Sequence, residues 1–216
     1  MNKTIGVFDS GVGGLSVTNA IKNAFPEAQV IYKDDKANLP YGDKTKAQLL
    51  KFVMPIFEEL DKTCDIIVIA CNTVTTNLAK ELRAKFKTPI IGMEPMVKTA
   101  VAKTKTGVIA VCATPRTLAS ERYADLKKEF ARDIKVIEPD CKNWTRMIES
   151  NQVDHQQIKN EIESALRQNA DAIVLGCTHY HWIEEDIKKI VGEKATVLQP
   201  EHAVILQLGR VLSQLA

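Results

Sequence analysis

The sequence has little net charge and no long apolar run. Its 216 residues carry a formal charge of +2, and the lysines are dispersed rather than clustered. A nucleic-acid or membrane partner is therefore not expected. The first apolar stretch runs only from Ile5 to Phe8 before Asp9, which is too short for the core of a signal peptide. No later run approaches the length of a membrane span.

Paired cysteine spacing is also missing. Five cysteines occur without any CxxC pair, which argues against a disulfide framework and against a zinc ribbon. No bound metal is expected, and a reducing cytoplasm is the expected location. The composition, with 45% hydrophobic and 26% charged residues, is ordinary for a globular protein. The chain is long enough to bury a core in one α/β domain or in two half-sized ones.

One local pattern occurs twice. Residues 65–73 read DIIVIACNT, and residues 171–179 read DAIVLGCTH. Each copy has an acidic residue, an apolar run, a small residue, a cysteine and then polar residues. We expect Cys71 and Cys177 at the C-terminal ends of buried parallel strands, where open α/β sheets keep their ligand sites. Two thiols facing one cleft would supply the opposed acid and base that inversion at a carbon atom requires.

Strand and helix patterns alternate along the chain, which is typical of mainly parallel, doubly wound sheets. We predict an α/β protein with two pseudo-symmetric half-domains, each a mainly parallel sheet flanked by helices, and an active site in the cleft between them. The first half-domain is expected to comprise residues 1–95 plus about 203–216, and the second about 96–202. Residues 34–43 are expected to form a loop, and the crossover between the halves is expected near residues 95–106.

A single cysteine at a strand end is most simply explained as a small buried hydrophobe. The matched contexts of Cys71 and Cys177 favour a chemical role, because helix N-termini and neighbouring donors favour a thiolate. Cys64, Cys112 and Cys141 lack this shared context and are assigned to structure.

Residues 9–14 read DSGVGG and follow the first predicted strand. Ser16 replaces the third glycine of a dinucleotide fingerprint, and the lysine of a P-loop is absent. The glycines can expose backbone N–H groups to a small anion. Asp9 at a strand tip needs a cationic partner, which a ligand ammonium group would supply. The simpler alternative is an Asp turn followed by glycines.

Three further features have simple alternatives. Residues 38–43 read NLPYGD and are, considered alone, typical of a turn. His179 is either a polar residue at a helix start or a base for the neighbouring Cys177. Glu149, considered alone, resembles a solvated carboxylate at the end of a helix.

Four blocks resemble, in order, the signature blocks of the glutamate racemases, which belong to the cofactor-independent aspartate/glutamate racemase family. These blocks are residues 5–15, 39–44, 70–73 and 175–180. The resemblance implies two α/β half-domains that enclose the active site. It also implies that the chain is an isomerase acting on a small amino acid.

The resemblance implies roles for individual residues. Cys71 and Cys177 would be the two catalytic acid/bases, Asp9 would lie near the substrate ammonium group, and His179 and Glu149 would support the cysteines. Tyr41 and Gly42 would hold the side-chain carboxylate. The complete set of substrate contacts that it implies is Asp9, Ser10, Pro40, Tyr41, Gly42, Asn72, Thr73, Thr114, Thr117, Thr178 and His179.

The implied activity interconverts L- and D-glutamate without pyridoxal phosphate or another cofactor, and supplies D-glutamate for peptidoglycan. A homodimer is among the assemblies that the resemblance allows. Related aspartate or hydantoin racemases are the nearest alternatives, and a decarboxylase or maleate-type isomerase is more distant. An amino-acid-binding protein that has lost turnover is the alternative from a different class.

Overall fold

The computed structural model describes residues 3–215, which form two four-stranded sheets with parallel pairing throughout. The strands are β1 (Thr4–Asp9), β2 (Gln29–Asp34), β3 (Ile66–Ile69), β4 (Ile90–Gly92), β5 (Val108–Ala113), β6 (Lys135–Ile137), β7 (Ala172–Gly176) and β8 (Thr196–Leu198). The first sheet has the order β2-β1-β3-β4, and the second has the order β6-β5-β7-β8. The predicted fold of two parallel α/β sheets is confirmed.

Helices connect and cover these strands. The α-helices are α1 (Gly14–Ala24), α2 (Lys46–Thr63), α3 (Asn72–Lys85), α4 (Val97–Lys103), α5 (Pro115–Leu118), α6 (Glu121–Phe130), α7 (Trp144–Glu149), α8 (His155–Arg167), α9 (Glu184–Val191) and α10 (Glu201–Gln214). Short 3₁₀ helices cover Lys36–Asn38, Tyr41–Asp43 and Thr178–Ile183. Within residues 3–215, no helix is both long enough and apolar enough to cross a bilayer.

Burial on both faces explains the apolar runs of the central strands. Every residue of β3 and of β7 is buried. One cluster, which includes Phe57 and Leu78, packs on one face of the first sheet, and another, which includes Val17 and Leu208, packs on the other face. The second sheet has a corresponding pair of clusters. Parallel sheets covered by helices on both sides require such continuous hydrophobic strands.

The two sheets repeat the same strand order, so β1 corresponds to β5 and β3 corresponds to β7. These are the central strands of their sheets. Asp9 ends β1 and Thr114 follows β5, while Cys71 and Cys177 follow β3 and β7 closely. The doubled topology therefore brings a polar side chain to the carboxyl end of each central strand, which is the edge where parallel sheets bind ligands.

The crossover between the sheets contains a helix that the sequence did not predict. Instead of a linker near residues 95–106, α4 packs Val97 and Ala100 into a cluster on the second sheet. The helix has seven residues, and Met96 at its start makes no side-chain capping bond, so its local signals are weak. The last helix returns to the first sheet through Val204 and Leu208. The half-domain boundaries stay a prediction.

The segment expected as a loop at residues 34–43 contains two 3₁₀ turns rather than an unstructured loop. It is bonded to the second half of the chain. Arg146 Nη2 donates to Asp43 Oδ2 at 2.6 Å, and Arg116 Nε donates to the Lys44 carbonyl oxygen at 2.7 Å. These bonds hold the segment over the edge where the central strands end.

Candidate active site

The polar residues that follow the central strands contact one another across the two sheets. Thr178 Oγ1 donates to Asp9 Oδ1 at 3.3 Å, and the hydroxyls of Thr73 and Thr114 lie 2.9 Å apart. Most of the predicted site residues are buried in this one region, namely Asp9, Ser10, Tyr41, Cys71, Asn72, Thr73, Thr114, Thr117, Cys177, Thr178 and His179. The structure thus brings residues from both copies of the cysteine pattern into one buried region.

The glycine-rich segment lets the two halves approach closely. A Cβ atom on Gly13 would lie 2.6 Å from both the His179 backbone nitrogen and Thr178 Oγ1. A Cβ atom on Gly11 would collide with Glu149 Oε1. These glycines are therefore needed for contact with the second half of the chain, rather than for a dinucleotide.

Asp9 is a carboxylate without solvent exposure. Its Oδ2 atom accepts hydrogen bonds from the backbone N–H of Gly14 at 2.7 Å and of Gly11 at 3.3 Å. Burial raises the pKa of Asp9, while His179 and the backbone amides oppose that rise. The protein therefore stabilises the ionised form of Asp9 less well than water does.

Cys71 is a buried thiol at the start of α3. Its Sγ atom donates to Ser10 Oγ at 3.7 Å. Burial is the main cause that raises the pKa of Cys71, and the charge of Asp9 adds to it. The Val74 backbone N–H works in the opposite direction without cancelling these effects. Cys71 is therefore protonated near neutral pH in this arrangement.

Cys177 has different neighbours. His179 Nδ1 lies 3.8 Å from Cys177 Sγ, and His179 Nε2 lies 2.5 Å from Glu149 Oε1. Burial alone would lower the pKa of His179, but its contacts with Cys177 and Glu149 outweigh burial and raise the pKa to about 10. His179 is therefore an imidazolium at neutral pH, with one N–H directed at Glu149 and the other at the sulfur atom.

Glu149 is not the solvated carboxylate that its sequence context suggests. It is half-buried, and its Oε1 atom accepts the backbone N–H of Val12 at 2.9 Å as well as the His179 bond. Partial burial would raise the pKa of Glu149, but the bonds from His179 and Val12 prevail and lower it. Glu149 bonds to His179, which in turn lies against Cys177, whereas Cys71 has no such pair among the bonds of the described residues.

Asn72 follows Cys71 and is buried, yet both its Oδ1 and Nδ2 atoms are without a hydrogen-bond partner among the described residues. A buried amide left unpaired is costly, so its presence at a candidate site points to a ligand that completes its bonds. Beside it, the hydroxyls of Thr73, Thr114 and Thr117 bond to one another at 2.9–3.3 Å.

The segment of Pro40, Tyr41 and Gly42 meets the second half of the chain through Gly42, whose position is in contact with Thr114. The Tyr41 hydroxyl donates to Asp35 Oδ2 at 2.6 Å, so this side chain is already occupied by a protein partner. Only the backbone of this segment is left to hold a ligand carboxylate. The role predicted for it stays a prediction.

Sequence reasoning missed Thr145, whose Oγ1 atom lies 3.9 Å from Cys177 Sγ, and two further residues beside the site. The hydroxyl of Tyr32, on β2, donates to the Gly11 carbonyl oxygen at 2.5 Å. His181 Nδ1 lies 3.1 Å from Ser16 Oγ, and burial, with a smaller contribution from His179, lowers the pKa of His181 to about 4. Both contacts join residues that are distant in sequence, so no local pattern indicates them.

Comparison with known proteins identifies the family. The profile of the family described as Asp/Glu/Hydantoin racemase matches residues 5–208. The chain belongs to this family. The resemblance predicted from the four sequence blocks is confirmed, and so is the prediction of an isomerase.

Similar members of the Asp/Glu/Hydantoin racemase family include named enzymes. The glutamate racemase of Ralstonia pickettii is 38% identical over 214 residues, which cover 97% of this chain and 76% of that protein. The glutamate racemase of Ectopseudomonas mendocina is 37% identical over 216 residues, which cover 97% of this chain and 82% of that protein.

Solved structures of the family share the fold. Escherichia coli glutamate racemase, in complex with L-glutamate and the activator UDP-MurNAc-ala, matches with a TM-score of 0.90 and 28% identity, covering 99% of this chain and 83% of that one. Francisella tularensis glutamate racemase, in complex with D-glutamate, matches with a TM-score of 0.83 and 32% identity, covering 99% and 81%. The Picrophilus torridus aspartate racemase, at 16% identity and a TM-score of 0.61, shares the fold alone.

Proposed function

We propose that this protein interconverts L- and D-glutamate, with Cys71 and Cys177 as the two proton-transfer groups and without a cofactor. The observation that carries the proposal is the placement of two buried cysteines after equivalent strands, in unequal environments. One thiol lies beside Asp9 and Ser10, and the other lies beside an imidazolium. The relatives named glutamate racemase support glutamate as the substrate.

The unequal environments suit a two-base reaction. A protonated His179 stabilises a thiolate at Cys177, and that thiolate takes the α-proton of one enantiomer. The Cys71 thiol gives its proton to the opposite face of the same carbon atom. For the other enantiomer, a Cys71 thiolate is the base and Cys177 is the acid. Each turnover moves one proton onto one sulfur and another proton off the other sulfur.

The transient carbanion needs stabilisation because the α-hydrogen of an amino acid is only weakly acidic. We assign the substrate ammonium group to Asp9, whose pKa is raised by burial. We assign the α-carboxylate to Asn72 and to the hydroxyls of Thr73, Thr114, Thr117 and Thr178. Hydrogen bonds that strengthen as charge moves onto the α-carboxylate lower the barrier. Within residues 3–215 the Asn72 amide nitrogen has no hydrogen-bond partner, so it can supply the donor that such a bond requires.

The side-chain carboxylate of glutamate is assigned to Ser10 and to the backbone N–H groups near Tyr41 and Gly42. Aspartate is one methylene shorter and would leave those donors unpaired, which costs more than a lost apolar contact. We therefore expect glutamate to be preferred. The role in supplying D-glutamate for peptidoglycan, the cytoplasmic location and the homodimer stay predictions of the same proposal.

The test compares Cys71→Ser and Cys177→Ser with Cys64→Ser, a matched control outside the site. Racemisation of L- and D-glutamate is followed by optical activity, and α-carbon exchange is followed in D₂O. We expect each site variant to lose racemisation and the control to retain it, because serine is far less acidic than cysteine. Full racemisation by either folded site variant would contradict the mechanism.

The same assay separates the alternatives. Faster turnover of aspartate, or turnover of a hydantoin with none of glutamate, would replace the substrate assignment and leave the two-cysteine chemistry intact. Binding of glutamate without α-deuterium exchange by the parent protein would indicate a binding protein instead of an enzyme.

A further inference from the structure

Tyr32 contacts the site through the backbone rather than through any residue assigned to the substrate. It lies on β2, next to β1, and its hydroxyl donates to the Gly11 carbonyl oxygen at 2.5 Å. Its ring also packs against the position of Gly14, where an added Cβ atom would lie 3.2 Å from Tyr32 Cε2. Tyr32 therefore holds the glycine-rich segment from the side of the first sheet.

The bond from Tyr32 to Gly11 also affects the Val12 N–H group, which belongs to the same peptide unit. The carbonyl group of Gly11 and the N–H group of Val12 belong to one planar peptide and point in opposite directions. That N–H donates to Glu149 Oε1 at 2.9 Å. A bond to the carbonyl oxygen fixes the plane of the peptide and also polarises its N–H group. Loss of the Tyr32 hydroxyl would remove this restraint from the side of the peptide opposite Glu149.

Glu149 connects this peptide to Cys177 through His179. Its Oε1 atom lies 2.5 Å from His179 Nε2, and His179 Nδ1 lies 3.8 Å from Cys177 Sγ. We propose that Tyr32 is a positioning residue, which acts through the Gly11–Val12 peptide and Glu149 to keep the His179 imidazolium directed at Cys177. This inference rests on the proposed function, since it names a group that supports one of its two bases.

Two features make this chain of contacts specific. Burial, together with the charges of Asp9, Asp34, Glu149 and Cys71, raises the pKa of Tyr32, so the hydroxyl stays a donor at neutral pH. Cys71 is reached from Gly11 by a different route, through the preceding residue Ser10, whose hydroxyl accepts a bond from Cys71 Sγ. Loss of the Tyr32 hydroxyl should therefore weaken the base at Cys177 more than the one at Cys71.

A one-base reaction can measure each cysteine separately. With 3-chloroglutamate, a thiolate takes the α-proton, the electron pair of the Cα–H bond forms the Cα–Cβ double bond, and chloride leaves with the electron pair of the C–Cl bond. The enamine then tautomerises and is hydrolysed by water to a 2-oxo acid and ammonium. Each α-enantiomer needs only the cysteine on its own face, and Cys71→Ser and Cys177→Ser identify which one.

The test variant is Tyr32→Phe, and the matched control is Tyr123→Phe, which removes a hydroxyl bonded to Glu138 outside the site. We expect Tyr32→Phe to slow elimination from the enantiomer that depends on Cys177 by about 10- to 100-fold. Elimination from the other enantiomer should change less than about 2-fold, and the control should match the parent. In a Glu149→Ala background, Tyr32→Phe should add little, because the two changes break one chain of contacts.

A second readout does not depend on turnover. Imidazole NMR of the folded Tyr32→Phe protein, with the His179 signal assigned through His179→Gln, should show His179 losing its proton at lower pH than in the parent. Equal slowing of both enantiomers, or an unchanged His179 titration, would overturn the role of Tyr32. If each enantiomer is eliminated equally by both single-cysteine variants, the two-base function itself fails, and this inference fails with it.

Discussion

Gly13→Ala tests the contact between the two halves of the chain more directly than a change to a catalytic group. Gly13 adopts φ −57° and ψ −40°, an ordinary helical conformation that alanine shares without strain. Any penalty must therefore come from the neighbours of the new methyl group. Those neighbours are the His179 backbone nitrogen and Thr178 Oγ1, both 2.6 Å from the Cβ position, and His179 Nδ1 at 2.9 Å.

The magnitude follows from these distances. One neighbour is backbone, and the His179 ring is held by Glu149, so the contact must lengthen from 2.6 Å to about 3.4 Å by movement of the halves themselves. Forcing an extra methyl group into such a contact costs about 1–3 kcal/mol. The gain from restricting the unfolded chain offsets this by about 0.4–1 kcal/mol. A displacement near 1 Å at a catalytic pair also lowers the rate by roughly 100-fold.

The matched control is Gly209→Ala on α10, where the new methyl group would meet Phe25 at 3.6 Å, an ordinary contact. We expect this variant to be fully active and more stable by up to about 1 kcal/mol, because alanine favours a helix. Gly13→Ala should lose about 1–2 kcal/mol, or several degrees in Tm, and about 100-fold in kcat/KM. Thermal unfolding and glutamate racemisation measure both effects. A Gly13→Ala protein with parental activity and raised stability would show that the halves do not meet at this distance.

The remaining predictions concern the buried polar groups. Because the pKa of His179 is raised from 6.5 to about 10 in the folded protein, its stabilising contribution is full below pH 6.5 and declines as the pH rises to 10. Chemical denaturation should therefore show that His179→Gln costs more at about pH 6 than at about pH 10; a constant cost would contradict the pairing with Glu149. Asn72→Ala should raise the KM for glutamate by about 10-fold or more with little loss of Tm, because its amide atoms have no partner to lose within the described residues. Thr75→Ala should lower Tm, because Thr75 Oγ1 accepts the Met93 backbone N–H at 3.1 Å. A larger loss of Tm in Asn72→Ala than in Thr75→Ala would count against a ligand role for Asn72.

The overall architecture could be predicted from the sequence because its signals are local. Continuous apolar runs in the sequence predict β3 and β7, whose residues are all buried, and the repeated cysteine pattern predicts that the two strands end in equivalent places. Helix starts with strong caps were also found, as at Thr114 and Asp154. The helix α4 was missed because it is short and uncapped, and the segment after Cys177 forms a 3₁₀ helix before α9 begins.

The polar contacts inside the site could not be predicted in the same way. Glu149 and Val12 are 137 residues apart, and Glu149 meets this amide only because the second half docks on the glycine-rich segment. Considered alone, Glu149 has the pattern of a solvated residue. Tyr32 is one of several residues on a half-buried edge strand, and its bond to Gly11 depends on the pairing of β1 with β2. Such contacts depend on how distant segments pack together, and no local pattern in a single sequence indicates them.

The two sheets have the same strand order, but the residues at the ends of β1 and β5 differ. This difference gives Cys71 and Cys177 unequal surroundings. The last residue of β1 is Asp9, with its carboxylate, whereas the residue that follows β5 is Thr114, with its hydroxyl. The charge of Asp9 adds to burial in raising the pKa of Cys71. If the substrate ammonium group pairs with Asp9, as we propose, its positive charge cancels that contribution. Binding would then ease deprotonation of Cys71 only when substrate is present, at the step in which Cys71 must act as the base.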